Sequence, residues 1–164
     1  MTKTFTMTVE PRWEAVDDAR RKSIGFLDAG RVSPERIQAL SMVVCELLEN
    51  GLKYGHYQSD DDKLTLEITL TAEDATVEVL NPFDEAARKH LRRLDQTVQW
   101  IRGYQDPFQA YIEKLKEVAK KPLDDQESGL GLVRIAYEGR AILDFFVPEE
   151  GMLNVSAVAR FGQE

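Results

Sequence analysis

The feature that most constrains the fold is a helix with two chemically distinct sides, predicted over residues 34–54. Ser33 is a typical N-cap residue and Pro34 is favoured at the first helical position, so the helix begins there. At about 100° per residue, one arc of the helix is apolar and carries Ile37, Leu40, Val44, Leu47, Leu48 and Gly51. A separate polar arc carries Glu46, Asn50, Lys53 and Tyr54. The apolar arc must pack on a core, which leaves the polar arc as one wall of a candidate site.

A glycine turn later in the chain, Ser128-Gly-Leu-Gly-Leu132, is the second informative feature. Glycine permits positive φ and lets a ligand approach the backbone closely. Apolar residues with helical spacing follow, so the turn opens a helix. The first turn of a helix offers unpaired N–H groups and the positive end of the helix dipole, both of which favour a phosphate group. Each segment alone also fits an ordinary solvated helix face or an ordinary turn. The two in this order indicate a nucleotide site.

In this order the two segments resemble the N box and the second glycine box of the GHKL superfamily, the ATP-binding domains of sensor histidine kinases, DNA gyrase and MutL. The succession of strand, helix, helix and N box is most similar to the small anti-sigma-factor serine/threonine kinases of bacteria. The resemblance implies one domain over residues 1–164 with the Bergerat-type ATP-binding fold. It implies that ATP and Mg²⁺ bind, and that phosphate is transferred to Ser or Thr of an anti-anti-sigma-like or sigma-factor-like partner. Relatives of this kind are often dimers, so the resemblance admits a homodimer.

The same resemblance assigns roles to individual residues. Asn50 is implied to bind the Mg²⁺ that bridges the ATP phosphates, and Glu46 to act as the general base. Lys53 is implied to approach the phosphates, and Tyr54 to line the nucleotide pocket. The phosphate-binding turn is implied to consist of Gly129, Leu130, Gly131 and Leu132. No phosphoacceptor-histidine helix precedes the domain, so histidine autokinase activity is not expected.

The first glycine box departs from the family pattern. The family has Asp followed by two spaced glycines after a strand. Here the strand at residues 76–80 is followed by Asn81, and both glycines are absent. An Asn oxygen can still accept a hydrogen bond from the adenine amino group, but it lacks the charge that strengthens such a bond. The alternative function is therefore a degenerate GHKL-fold module that regulates a partner without catalysis.

The remaining pattern predicts an α+β fold. Alternating apolar residues predict strands at residues 5–9, 64–70 and 76–80, and a closing hairpin over residues 141–161 with its turn at 148–151. A helix over residues 11–27 is expected to turn five residues inward, namely Trp13, Val16, Ala19, Ser23 and Phe26. Antiparallel strands with helices on one face give a two-layer α/β sandwich.

A helical insert is predicted over residues 84–121, where the resembled family has its ATP lid. Its first helix has an apolar stripe of Ala87, Leu91, Leu94, Val98 and Ile101. Asp106 and Pro107 open a second helix, with a stripe of Phe108, Tyr111, Ile112, Leu115 and Val118. The polar faces are basic through Arg88, Lys89, Arg92, Arg93, Lys114, Lys116, Lys120 and Lys121. These faces fit either a partner surface or a merely solvated one.

Composition excludes several classes of protein. The net charge of −8 argues against nonspecific nucleic-acid binding, which needs a basic surface. No apolar run is long enough to span a membrane, and residues 1–5 lack a signal-peptide core. The single cysteine excludes an intramolecular disulfide, and two isolated histidines do not predict a metal site. A cytoplasmic protein is expected.

Overall fold

The computed structural model of the chain describes residues 1–84, 88–104, 106–119 and 130–162. Within these residues it has five strands and five helices. The strands are β1 (Lys3–Val9), β2 (Leu64–Leu70), β3 (Asp74–Pro82), β4 (Ala141–Glu149) and β5 (Met152–Arg160). The helices are α1 (Trp13–Ala29), α2 (Pro34–Tyr54), α3 (Arg88–Arg102), α4 (Pro107–Ala119) and α5 (Leu130–Tyr137).

The strands form one antiparallel sheet in the order β1-β2-β3-β5-β4. Burial alternates along β2, β3 and β5, as expected for strands that turn one face to a core. The core face includes Leu66, Ile68 and Val77, which are fully buried. Helix α2 contacts β2, β3 and β5, while α5 contacts β4. This arrangement confirms the predicted α+β class.

The apolar arc of α2 is buried, as predicted. Its buried residues include Leu40, Val44, Leu47, Leu48 and Gly51. Helix α1 packs beside α2 and buries Val16, Ala19, Ser23 and Leu27. The Ser23 hydroxyl is satisfied because its Oγ donates to the Ala19 carbonyl at 2.7 Å. Trp13 was expected inward but is 55 % exposed. Helical side chains lean toward the N-terminus, so this first residue projects past the packed turns.

The β4–β5 hairpin is tighter than predicted. The expected turn at residues 148–151 is reduced to two residues, since β4 continues to Glu149 and β5 begins at Met152. Gly151 has a φ of 81°, a conformation that glycine adopts at little cost. Pro148 lies on an edge strand where the register shifts, and a missing N–H is tolerated there.

Helices α3 and α4 lie in the predicted insert, of which Ala87, Lys120 and Lys121 fall outside the described residues. The stripe predicted for α3 is confirmed, because Leu94, Val98 and Ile101 are buried and Leu91 is half-buried. Arg102 at the end of α3 donates from Nη2 to the Leu143 carbonyl at 2.7 Å. This bond covers part of the edge of β4. No helix in the described part of the chain is long and apolar enough to cross a bilayer.

Helix α4 buries only part of the predicted stripe, since Tyr111 and Ile112 are half-buried. Asp106 caps it as expected, since the Phe108 N–H donates to Asp106 Oδ1 at 3.0 Å. However, Phe108 and Leu115 are exposed, whereas Ala110 is fully buried. The rings of Phe108 and Tyr111 lie 5.2 and 5.3 Å from the ring of Tyr137 on α5. Two residues of the predicted stripe therefore contact α5 through their rings, while the fully buried Ala110 lies beside that stripe.

Candidate functional site

The polar arc of α2 is partly enclosed. The Glu46 side chain is only 17 % exposed, and Asn50 and Tyr54 are half-buried, while Lys53 is exposed. A fully solvated helix face would leave all four side chains in water. The arc is instead one wall of a site that other elements complete.

Helix α5 completes that wall at Glu46, so the two sequence segments meet. Arg134 of α5 donates from Nη1 to Glu46 Oε1 at 2.8 Å. Gly131, one turn earlier on α5, lies against the other carboxylate oxygen, because a Cβ at this position would be 2.3 Å from Glu46 Oε2. Arg134 also donates from Nη2 to Glu138 Oε2 at 3.0 Å. Sequence reasoning missed Arg134, although it stands one helical turn beyond Gly131.

The surroundings of Glu46 change its acidity. Burial raises the pKa of Glu46 above its ordinary value, and Arg134 opposes this shift. Glu49 adds to the rise, whereas Lys53 lowers the pKa. A carboxylate with a raised pKa is a stronger base than an exposed one, which suits it to accept a proton.

The glycine segment is more helical than predicted. Helix α5 begins at Leu130, so Gly131 lies inside the helix and not in the turn before it. Glycine is therefore needed at residue 131 for the approach of Glu46 and not for a positive φ. The side chain of Leu132 is buried in the core and anchors α5. Gly129 lies outside the described residues.

Asn81 of β3 packs against α2 at Gly51. It lies within β3 and not after the strand as predicted, and it is only 2 % exposed. Its Nδ2 donates to the carbonyl of Pro82 at 3.0 Å. A Cβ on Gly51 would lie 3.3 Å from Asn81 Oδ1 and 2.7 Å from Leu64 Cδ2. The absence of a side chain at Gly51 thus allows the Asn81 amide to pack against the buried arc of α2.

Tyr54 is covered by His90 of α3. The two rings are stacked, with centroids 3.4 Å apart and planes inclined by 9°. The Nε2 atom of His90 is buried and has no hydrogen-bond partner among the residues that the structure describes. Burial, together with the positive charge of Arg93, lowers the pKa of His90 to about 4. Sequence reasoning considered His90 only as a metal ligand, although it precedes Leu94 by four residues and so shares the buried stripe of α3.

Of the comparisons with known proteins, the one with solved structures found a match, and that match shows the fold alone. No protein-family model matches the chain, and no curated protein matches it. Among solved structures, a chain in the crystal structure of the SiaB–SiaC complex from Pseudomonas aeruginosa superimposes with a TM-score of 0.69. The match covers 96 % of this chain and 89 % of that chain at 18 % identity. At this identity the match shows that the two chains share a fold.

The His90 stack predicts an unusual titration. In NMR spectra of the two histidine rings, His90 should titrate with a pKa of about 4, with His56 as the second signal. Because this pKa is lower than that of an unfolded histidine, about 6.5, the neutral ring stabilises the fold fully above pH 6.5. That stabilisation is lost as the pH falls toward 4. The variant Tyr54→Ala should expose the ring and raise its pKa. A parent His90 that titrates near 6.5 would contradict the buried stack.

The contact between Gly131 and Glu46 predicts coupling between two substitutions. In a Glu46→Ala background, Gly131→Ala should stabilise the protein by about 1 kcal/mol, because alanine is the better helix former. In the parent the gain should be smaller, since the new methyl group must displace the Glu46 carboxylate. Urea denaturation of the four proteins measures this difference. Equal gains in both backgrounds would mean that the two residues do not touch.

Proposed function

We propose that this protein binds Mg·ATP and transfers the γ-phosphoryl group to Ser or Thr of a regulatory partner protein. The observation that carries the proposal is the contact of Glu46 with Gly131 and Arg134, which brings a partly buried carboxylate to the beginning of a helix. A helix start attracts phosphate, and a nearby carboxylate accepts a proton. Phosphoryl transfer to a hydroxyl group requires both.

The donor groups at the site fit Mg²⁺ and a nucleotide. Asn50 would bind the metal through its amide oxygen, because Mg²⁺ prefers oxygen ligands. Lys53 offers a cation on the same arc, and the first N–H groups of α5, from Leu130 onward, are suitable phosphate donors. Gly129 would let the phosphates approach the backbone, and Gly131 would do so on the side that Glu46 does not occupy. When bound, Mg·ATP supplies the transferable phosphoryl group, with part of its charge neutralised by the metal.

Glu46 would accept the proton of the attacking hydroxyl. Since Oε1 is bonded to Arg134, we assign the incoming proton to Oε2. Tyr54 would line the nucleotide pocket, with Asn81 accepting a hydrogen bond from the adenine amino group in place of the family's Asp. These assignments divide the site into an adenine-binding part near Tyr54 and a phosphate-transfer part near Glu46.

A protein partner is supported by the fold shared with a chain of the SiaB–SiaC complex, which is an assembly of two proteins. Exposed apolar side chains at Phe146 and Val147 mark one candidate surface. It adjoins a cavity of about 590 Å³ lined by Phe83, Asp84, Leu91, Arg92, Val147, Glu150 and Gly151. Arg92 and Lys116 are exposed, as the basic-face hypothesis requires. Lys114 does not fit that hypothesis, because its side chain is only 14 % exposed and packs over Trp100.

The second candidate is a non-enzymatic module that regulates its partner by binding alone. Two observations favour it: Asn81 lacks the charge of the family's Asp, and His90 covers the ring of Tyr54. In this case the nucleotide pocket would be retained only as part of the fold. Binding of Mg·ATP separates the two candidates.

Substitution of Asn50 should weaken nucleotide binding without unfolding the protein. Loss of a metal ligand is expected to lower Mg·ATP affinity by at least about tenfold. The melting temperature should change little, because Asn50 is not on the buried arc. Isothermal titration calorimetry with ATP, with and without Mg²⁺, measures this for Asn50→Ala and for a control, Gln38→Ala, at an exposed position of the same helix. Parental affinity in Asn50→Ala would remove the metal assignment.

Phosphate transfer should depend on Glu46 more strongly than ATP binding does. With labelled ATP and the partner captured on immobilised protein, we expect acid-stable label on Ser or Thr of the partner. Glu46→Gln should reduce the transfer rate by about 10²–10⁴ while ATP still binds, because a general base is lost. Acid-labile label would point to histidine phosphorylation. ATP binding without any transfer would favour the binding module.

A further inference from the structure

Arg134 connects α5 to α2 within the proposed transfer site. It bonds Glu46 at 2.8 Å across 88 residues of sequence, and Glu138, the residue directly after its own helix, at 3.0 Å. Its guanidinium is thus held between two carboxylates, one on α2 and one directly after the end of α5. The planar guanidinium fixes both partners in direction as well as distance.

The ion pair between Arg134 and Glu46 is less exposed than an ordinary surface ion pair of the protein. Arg21 and Asp17 on α1, for example, have side chains that are 73 % and 49 % exposed, and they lie on one helix. The Glu46 side chain is 17 % exposed and that of Arg134 is 37 % exposed. Screening by water is weaker at such a site, so the charge of Arg134 acts more strongly on Glu46.

We propose that Arg134 is a positioning residue for phosphate transfer. It holds Glu46 through Oε1 and leaves Oε2 to take the proton, while Glu138 orients Arg134. This inference rests on the proposed function of Glu46 as the base. Gly131 complements the arrangement, because its missing Cβ leaves room for Oε2. In the transfer step the hydroxyl proton moves to Oε2 as the hydroxyl oxygen forms its bond to phosphorus and the bond to the leaving ADP oxygen breaks.

The charges around Glu46 show why Arg134 is needed. From α2, Glu49 opposes ionisation of Glu46 and Lys53 favours it. Glu138, directly after α5, opposes ionisation and Arg134 of α5 favours it, while Tyr111 of α4 faces Arg134. Burial also favours the protonated form. Without Arg134, the balance moves toward a neutral carboxyl group, which cannot accept a proton.

The first test needs neither nucleotide nor partner. The side-chain carboxyl signal of Glu46 is titrated by NMR in the parent, Arg134→Gln, Arg134→Lys and a control, Arg21→Gln. We expect the pKa of Glu46 to rise in Arg134→Gln, to return toward the parental value in Arg134→Lys, and to stay unchanged in the control. Melting temperatures confirm that each variant is folded. An unchanged pKa of Glu46 in folded Arg134→Gln would overturn the inference.

The second test follows the reaction. Arg134→Gln should shift the pH profile of transfer to higher pH and lower kcat at acidic pH, with Mg·ATP affinity retained. In a Glu46→Gln background, Arg134→Gln should cause no further loss, because both act through the same proton acceptor. Additive losses would overturn the inference and leave the proposed function standing. If no variant, nor the parent, binds Mg·ATP, the proposed function fails and the role of Arg134 falls with it.

Discussion

The packing of α2 against the sheet fixes the direction of the polar arc from which the candidate site is built. Its apolar arc is buried against β2, β3 and β5, so the polar arc can face only one way. Gly51 allows β3 to approach closely and brings the Asn81 amide alongside. At Glu46 the polar arc meets α5, where Gly131 makes room and Arg134 supplies the opposite charge. The site therefore depends on one helix that is packed on one side and polar on the other.

The insert helices add a second constraint. His90 of α3 stacks on Tyr54, and α4 packs on α5 through the ring of Tyr137. The insert thus contacts both elements that form the candidate site. If Tyr54 lines a nucleotide pocket, as we propose, the adenine base must either bind beside the stacked rings of Tyr54 and His90 or displace His90 from Tyr54. If the protein is instead a non-enzymatic binding module, the stack of His90 on Tyr54 would keep the pocket closed to a nucleotide. Nucleotide binding therefore separates the two candidate functions.

Much of the fold follows from periodicity. The two arcs of α2 were predictable because helical spacing sorts its residues by polarity, and the strands because apolar residues alternate. The sequence predicted that the two motifs would form one site, but not that Gly131 would lie against Glu46. The roles of Arg134 and His90 depend on helix-to-helix packing between residues far apart in sequence, which one-dimensional patterns do not contain. Trp13 was misassigned because an apolar stripe does not reveal that the first turn projects past the core.

The most direct measurement of the central claim is a crystal structure with Mg²⁺ and a non-hydrolysable ATP analogue. We expect the metal to bind the Asn50 side-chain oxygen and the phosphates to lie at the first turn of α5. We also expect Glu46 to remain bonded to Arg134 through Oε1, with Oε2 facing the γ-phosphate. A nucleotide bound elsewhere, or none bound at saturating concentration, would contradict the account.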